Sequence, residues 1–137
     1  MKGLLLTTVA IVAALSLGVG LALAAGHSGV KVGVAGSGLG KVLVDGRGRT
    51  LYLFEQDKHG KSACSGKCAS LWPPLLASGK PLATAGAKAS LLGTVKRADG
   101  RLQVTYNHHP LYPFVKDTRK GQTNGEGRPR AALASVG

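Results

Sequence analysis

The pattern of apolar and polar positions changes character along the chain. From Gly3 through Gly26 no charged residue occurs and the run is apolar. Beyond it, short β-branched and aromatic stretches are cut by turns rich in Gly, Asp and Asn, the pattern of an all-β chain. Residues 25–40 read as a flexible, Gly-rich lead-in, in which Val30-Lys31-Val32-Gly33-Val34 alternates and predicts one edge strand. Lys41–Asp45 and Arg49–Phe54 predict a hairpin around Gly46-Arg47-Gly48. Glu55–Ser62 is a polar loop. Ala77–Ser90 is a low-complexity surface loop with a short helical turn. Leu91–Arg97 and Arg101–Tyr106 predict a second hairpin around Ala98-Asp99-Gly100, and a tight reversal follows at Asn107-His108.

One stretch occurs twice. Leu51-Tyr52-Leu53-Phe54-Glu55-Gln56-Asp57 returns sixty residues later as Leu111-Tyr112-Pro113-Phe114-Val115-Lys116-Asp117. An internal repeat constrains architecture more than any single motif. Side chains two apart on a strand share a face, so Tyr52 projects with Phe54 and Tyr112 with Phe114. Asp57 and Asp117 fall where each strand would run into a turn, which a carboxylate can close by accepting backbone N–H groups. Read structurally, these are two aromatic pairs in a core and two turn-closing aspartates. Read functionally, they are two equivalent binding sites, each with a phenol and a carboxylate. Aromatic stripes at strand spacing favour the structural reading.

Between the copies lie Cys64 and Cys68, the only cysteines, followed by Leu71-Trp72-Pro73-Pro74-Leu75. An even count, in a chain whose uncharged apolar start reads as an export signal, points to a disulfide, here pinning the turn before a Trp-Pro-Pro excursion with Trp72 against the bridge. A C-x-x-x-C spacing with distant histidines also occurs in envelope copper-delivery proteins, and His59, His108 and His109 are available. That likeness rests on spacing alone. C-x-x-C-H for haem is absent, and no histidine spacing suggests zinc. No catalytic constellation or cofactor is indicated: Gly-x-Ser-x-Gly and His-x-x-x-His are missing, and the carboxylates are scattered.

The duplicated Tyr-x-Phe-x-x-Asp motif resembles the bacterial extracytoplasmic family called "secreted repeat of unknown function", predicted lipoproteins with a Tyr-x-(Phe/Trp/Tyr)-x-x-Asp signature. Leu43–Tyr52, Ser62–Cys68, Leu71–Leu75, Gly93–Arg97, Asp99-Gly100 and Gln103–Asn107 extend the resemblance over roughly Val42 to Gly127. It implies export but no activity. Two departures stand out. His108 takes the place of a glycine usual at the reversal. The usual aromatic last strand is replaced by Arg128–Gly137, which predicts a weakly ordered basic end that buries less apolar area.

The uncharged run ends at Ala22-Leu23-Ala24, a small-x-small exit site, so residues 1–24 read as a cleaved signal peptide. Cleavage there leaves no membrane span and, with no cysteine nearby, no lipid anchor. The chain carries a net charge of +12. Such a balance attracts polyanions. Export and the lack of a reading motif argue against nucleic acid, leaving anionic envelope polymers or lipid headgroups. The expectation is a small antiparallel all-β domain over 41–137, two related hairpin units whose Tyr/Phe faces share one core. Its expected role is a non-enzymatic binding or structural module of the cell envelope, the alternative being a thiol-redox or copper protein using Cys64 and Cys68.

Overall fold

The alternation that begins at Val30 becomes a full strand. In the computed structural model, which describes residues 29–136, β1 (Lys31–Ser37) turns through Gly38-Leu39 into β2 (Gly40–Asp45). The two pair antiparallel from Val32–Asp45 to Ser37–Gly40. The first hairpin is therefore β1–β2, not the 41–45/49–54 pair expected. The reason lies in Asp45, whose Oδ1 accepts the N–H groups of Arg47 and Arg49 at 2.9 and 3.0 Å. This Asx-type turn redirects the chain. β2 and β3 (Leu51–Phe54) then share only the Val44–Thr50 bridge, and β3 enters a different sheet.

The stretch read as a flexible lead-in thus supplies β1, and β1 is central rather than an edge. Its outer side is covered by β4 (Leu82–Ala83), a parallel strand from within the predicted 77–90 loop, with the Val34 N–H donating to the Ala85 carbonyl. Before β4 the chain forms the helix α1 (Lys67–Leu71) directly ahead of Trp72. After it, a 3-10 turn at Ala89–Leu91 leads into β5 (Leu92–Lys96) and β6 (Leu102–Tyr106), which pair as the second hairpin expected. Asn107 and His108 reverse the chain, both with positive φ (47° and 67°), as a two-residue hairpin turn of the I′ type requires. Two short strands follow, β7 (His109–Pro110) on β6 and β8 (Tyr112–Pro113).

β8 pairs antiparallel with β3, and Tyr52 lies opposite Tyr112. The two copies of the motif therefore meet across a pseudo-two-fold axis. The other edge of β3 is taken by β9 (Ala131–Leu133), so the end read as weakly ordered is a closing strand. Alanines replace the expected aromatics there. Ala131 packs into the aromatic cluster and Ala134, 2% exposed, into the aliphatic one. Past β9 the chain crosses to the first sheet, where the Leu43 N–H donates to the Ala134 carbonyl and the Val136 N–H to that of Lys41.

Period-two alternation gives the motif strands two buried faces. Tyr52, Phe54, Tyr112 and Phe114 point to one side with Trp72, Cys64 and Ala131. Leu51 and Leu111 point to the other, with Val32, Leu43, Val104 and Ala134. The small antiparallel all-β fold with two related hairpin units is what the pattern predicted. The predicted signal peptide, residues 1–24, lies outside the described residues.

Candidate functional site

The aromatic cluster is built mainly from edge-to-face contacts, with Trp72 and Phe114 tilted at 31° and 4.4 Å apart. Trp72 stands 5.1 Å from Tyr52 and 5.2 Å from Phe54, and Phe54 stands 4.8 Å from Tyr112. Such pairs add about 0.5–1.5 kcal/mol each beyond their buried area. Cys64 and Cys68 are bonded to each other and lie in the same cluster, so the bridge holds Trp72 in place from below.

Polar groups at the cluster's edges join the repeats reciprocally. The Tyr52 hydroxyl donates to Asp117 Oδ2 at 2.5 Å, and the Tyr112 hydroxyl donates to Asp57 Oδ2 at 2.8 Å. Each phenol bonds the carboxylate of the other copy, not its own. The second oxygen of each carboxylate closes a loop in its own copy: Asp57 Oδ1 accepts the Ala63 N–H at 2.6 Å, and Asp117 Oδ1 accepts the Asn124 N–H at 2.9 Å. The aspartates close loops longer than the Asx-turns expected, and they also fasten the repeats together. Hydrogen bonds to a charged acceptor are the strong ones.

The two locks are not chemically equal. Tyr52 and Asp117 are almost fully buried (0% and 1% exposed), and the Gly125 N–H donates to the Tyr52 hydroxyl at 3.1 Å. Gly125 is fixed by contact: a Cβ there would fall 2.6 Å from Trp72 Cη2 and 2.7 Å from the Tyr52 ring. Burial first, and the neighbouring Asp117 second, hold the Tyr52 phenol well above its ordinary range. In the other lock Asp57 is half-buried. Burial pushes its carboxyl up, opposed by the bonds from Ala63 and Tyr112. The Tyr112 phenol is pushed up to about 12, chiefly by burial.

The second lock continues into a polar network. The Tyr112 hydroxyl also lies 2.6 Å from Ser62 Oγ. A carboxylate only accepts, so the phenol proton goes to Asp57 and the Ser62 hydroxyl donates to Tyr112. Arg97 then donates to Ser62 Oγ, to Gln103 Oε1 at 2.7 Å and to the Cys64 carbonyl at 2.8 Å. Gln103 in turn donates to the Leu111 carbonyl. The Arg97 side chain, only 7% exposed, thereby ties the disulfide loop to the second hairpin. Arg97 and Gln103 lie inside the stretches that carry the family resemblance. Sequence reasoning gave them no role, since nothing in the sequence places them beside Ser62.

A family model described as "secreted repeat of unknown function" matches residues 33–76 and 93–129. The chain belongs to that family. No curated protein and no solved structure matches it. The first match of the secreted-repeat model runs from within β1 to just past Trp72. The second runs from β5 to the loop before β9. Each therefore contains one hairpin, one Tyr-x-Phe-x-x-Asp strand and the loop that its aspartate closes. The resemblance read from Val42 thus extends upstream into β1.

The histidines do not converge on the cysteines. His59 and His108 line an open cleft of about 480 Å³ with Thr94, Val95 and Thr105, whereas His109 lines a separate hollow beside Tyr106. Among the described residues no group of three or more His, Cys, Asp or Glu side chains is placed to hold a metal ion. Charge is distributed unevenly. Asp45 and Asp117 are buried and Asp57 is half-buried, leaving only Glu55, Asp99 and Glu126 exposed among the acids. Every lysine among the described residues is exposed.

Proposed function

We propose that this secreted-repeat protein is a non-enzymatic module of the cell envelope that works by binding anionic material with its outer surface. The observation that carries the reading is the sorting of charge. Half of the six acids are turned inward, as loop caps and as the acceptors of the two Tyr–Asp locks, while the lysines stay in solvent. A surface so depleted in carboxylates attracts polyanions more strongly than the net charge alone implies. The motif residues support the same reading from the other side. Their hydroxyls and carboxylates are spent on one another, which suits a structural lock.

Export fits a family described as secreted, and no helix among the described residues is long and apolar enough to cross a membrane. The test is co-sedimentation of the purified protein with isolated envelope polymer across a salt series. Binding at about 20 mM salt that is lost by about 0.5 M is expected, since screening shortens to a few Å over that range. Absence of binding at low salt would refute the proposal.

A further inference from the structure

One turn gathers exposed cations from three parts of the chain. Gly46-Arg47-Gly48 links β2 to β3 in the first repeat. At Gly46 the nearest atoms to an added Cβ belong to Lys31, with Lys31 Cβ at 3.4 Å. At Gly48, where φ is +82°, a Cβ would fall 2.8 Å from Lys120 Cγ and 3.0 Å from its Cδ. Two lysine stems thus lie over the two glycines, with exposed Arg47 between them. Lys120 occupies space that only a glycine leaves.

The arrangement is held rigidly. Thr50 Oγ1 donates to the Gln122 carbonyl at 2.6 Å, fastening the second repeat's loop to the first repeat's turn. Gln122 Oε1 accepts the N–H groups of Thr118 and Arg119, fixing the backbone beside Lys120. The nearest carboxylate in sequence, Asp45, is 8% exposed and already accepts two backbone N–H groups and Arg49. The positive charge of Lys31, Arg47 and Lys120 therefore faces solvent with little local compensation.

We infer that Lys31, Arg47 and Lys120 form the principal contact for a linear polyanion, a soluble polymer with a negative group at each repeat. The inference rests on the anionic-surface reading above and adds its place. A group of cations drawn from a strand start, a turn and a loop offers several charges at once to a chain that carries one at each repeat. Leu82, in register with Lys31, is 42% exposed. Leu39, the most exposed large apolar side chain among the described residues, lies at the far end of the β1–β2 hairpin. The strongest apolar anchor for a lipid surface thus stands away from these cations, and a soluble polymer is favoured. Membrane docking gains most when apolar side chains accompany the basic ones.

Inorganic polyphosphate is the probe. Wild type, Lys31→Gln/Arg47→Gln/Lys120→Gln, and a control changing Lys58, Lys61 and Lys67 to Gln would be compared at low salt, with thermal melts confirming that all three fold. The first triple change should weaken binding by about tenfold or more and the control by no more than about twofold, because both remove the same charge. Equal losses in the two variants would overturn the placement and leave the anionic-surface reading standing. No binding by wild type to either polyphosphate or anionic vesicles would overturn both. Preferential binding to phosphatidylglycerol vesicles, with polyphosphate ignored, would overturn the choice of a soluble polymer.

Discussion

The reciprocal locks make a prediction that a turn-closing role does not. If each aspartate only closed a turn, Asp57→Ala and Asp117→Ala would cost similar amounts, on the order of 1 kcal/mol. The structure separates them. Asp117→Ala removes the acceptor of a fully buried Tyr52 hydroxyl and of the Asn124 N–H. Asn124 is exposed and water can replace its partner, but the Tyr52 proton is left inside the protein. A bond to a charged acceptor is worth about 1.5–3 kcal/mol, and an orphaned buried donor adds a similar penalty. Relief of the carboxylate's own desolvation returns part of this, so a net loss of about 3 kcal/mol is expected. Asp57→Ala takes away a half-buried carboxylate, and Tyr112 keeps Ser62 beside it. That loss should be about 1–1.5 kcal/mol.

Urea unfolding of the single variants measures the difference, and double-mutant cycles locate it. The cross-repeat pair Tyr52→Phe/Asp117→Ala should show a coupling of about 1.5–3 kcal/mol, and Tyr112→Phe/Asp57→Ala a smaller one. The same-repeat pair Tyr52→Phe/Asp57→Ala should be additive within about 0.5 kcal/mol. Coupling within a repeat but not across would refute the reciprocal arrangement outright.

Three further outcomes follow from the same geometry. Both phenols are held above their ordinary range in the folded protein, Tyr112 at about 12. Unfolded phenols ionise near pH 10, so the unfolded chain binds fewer protons above that pH. Stability is intact below pH 10 and falls by about 1.4 kcal/mol per pH unit per tyrosine as pH climbs from 10 toward 12. Alkaline denaturation curves should be less steep for Tyr112→Phe, and an unchanged slope would refute the burial argument. Gly125→Ala drives a methyl group into Trp72 and Tyr52 and should cost about 3 kcal/mol in thermal or urea melts. The exported protein should begin at Ala25 by intact-mass analysis, and a mass retaining residues 1–24 would show an anchor instead.

Elements whose signal is local were legible in the sequence. The β5–β6 hairpin follows from Asp99-Gly100 between two apolar runs, and the aromatic core from Tyr and Phe two apart. The bonded cysteines follow from their number. What was missed depends on partners distant in the chain. Gly46-Arg47-Gly48 looks like a hairpin turn, but Asp45 captures it and sends β3 elsewhere. The Gly-rich stretch before Gly40 looks flexible, yet its alternation is completed by β2 on one side and by β4, from a low-complexity loop, on the other. Ala131-Ala132-Leu133 has little strand propensity. It becomes a strand because β3 offers an open edge and because Ala131 and Leu133, two apart on one face, pack against the aromatic cluster. The exchange of aspartates could not be read at all, since the motif looks the same whether each phenol bonds its own carboxylate or the other copy's.

That exchange explains why the motif has to occur twice. A single unit would contain an apolar strand with one edge open, a phenol with no acceptor and a carboxylate with one oxygen unsatisfied. Burying these groups alone costs roughly 1–3 kcal/mol each, a large share of the stability of a small domain. Bringing two units together about an axis through the Tyr52–Tyr112 pair satisfies both phenols and both carboxylates at once. It also packs Tyr52, Phe54 and Phe114 against a single Trp72, with Tyr112 against Phe54. With the interior committed to this mutual closure, the residues free to differ are those in the loops the aspartates hold. Those loops carry Lys58 and Lys61 in the first repeat and Arg119 and Lys120 in the second. The motif builds the frame, and the loops present its charge.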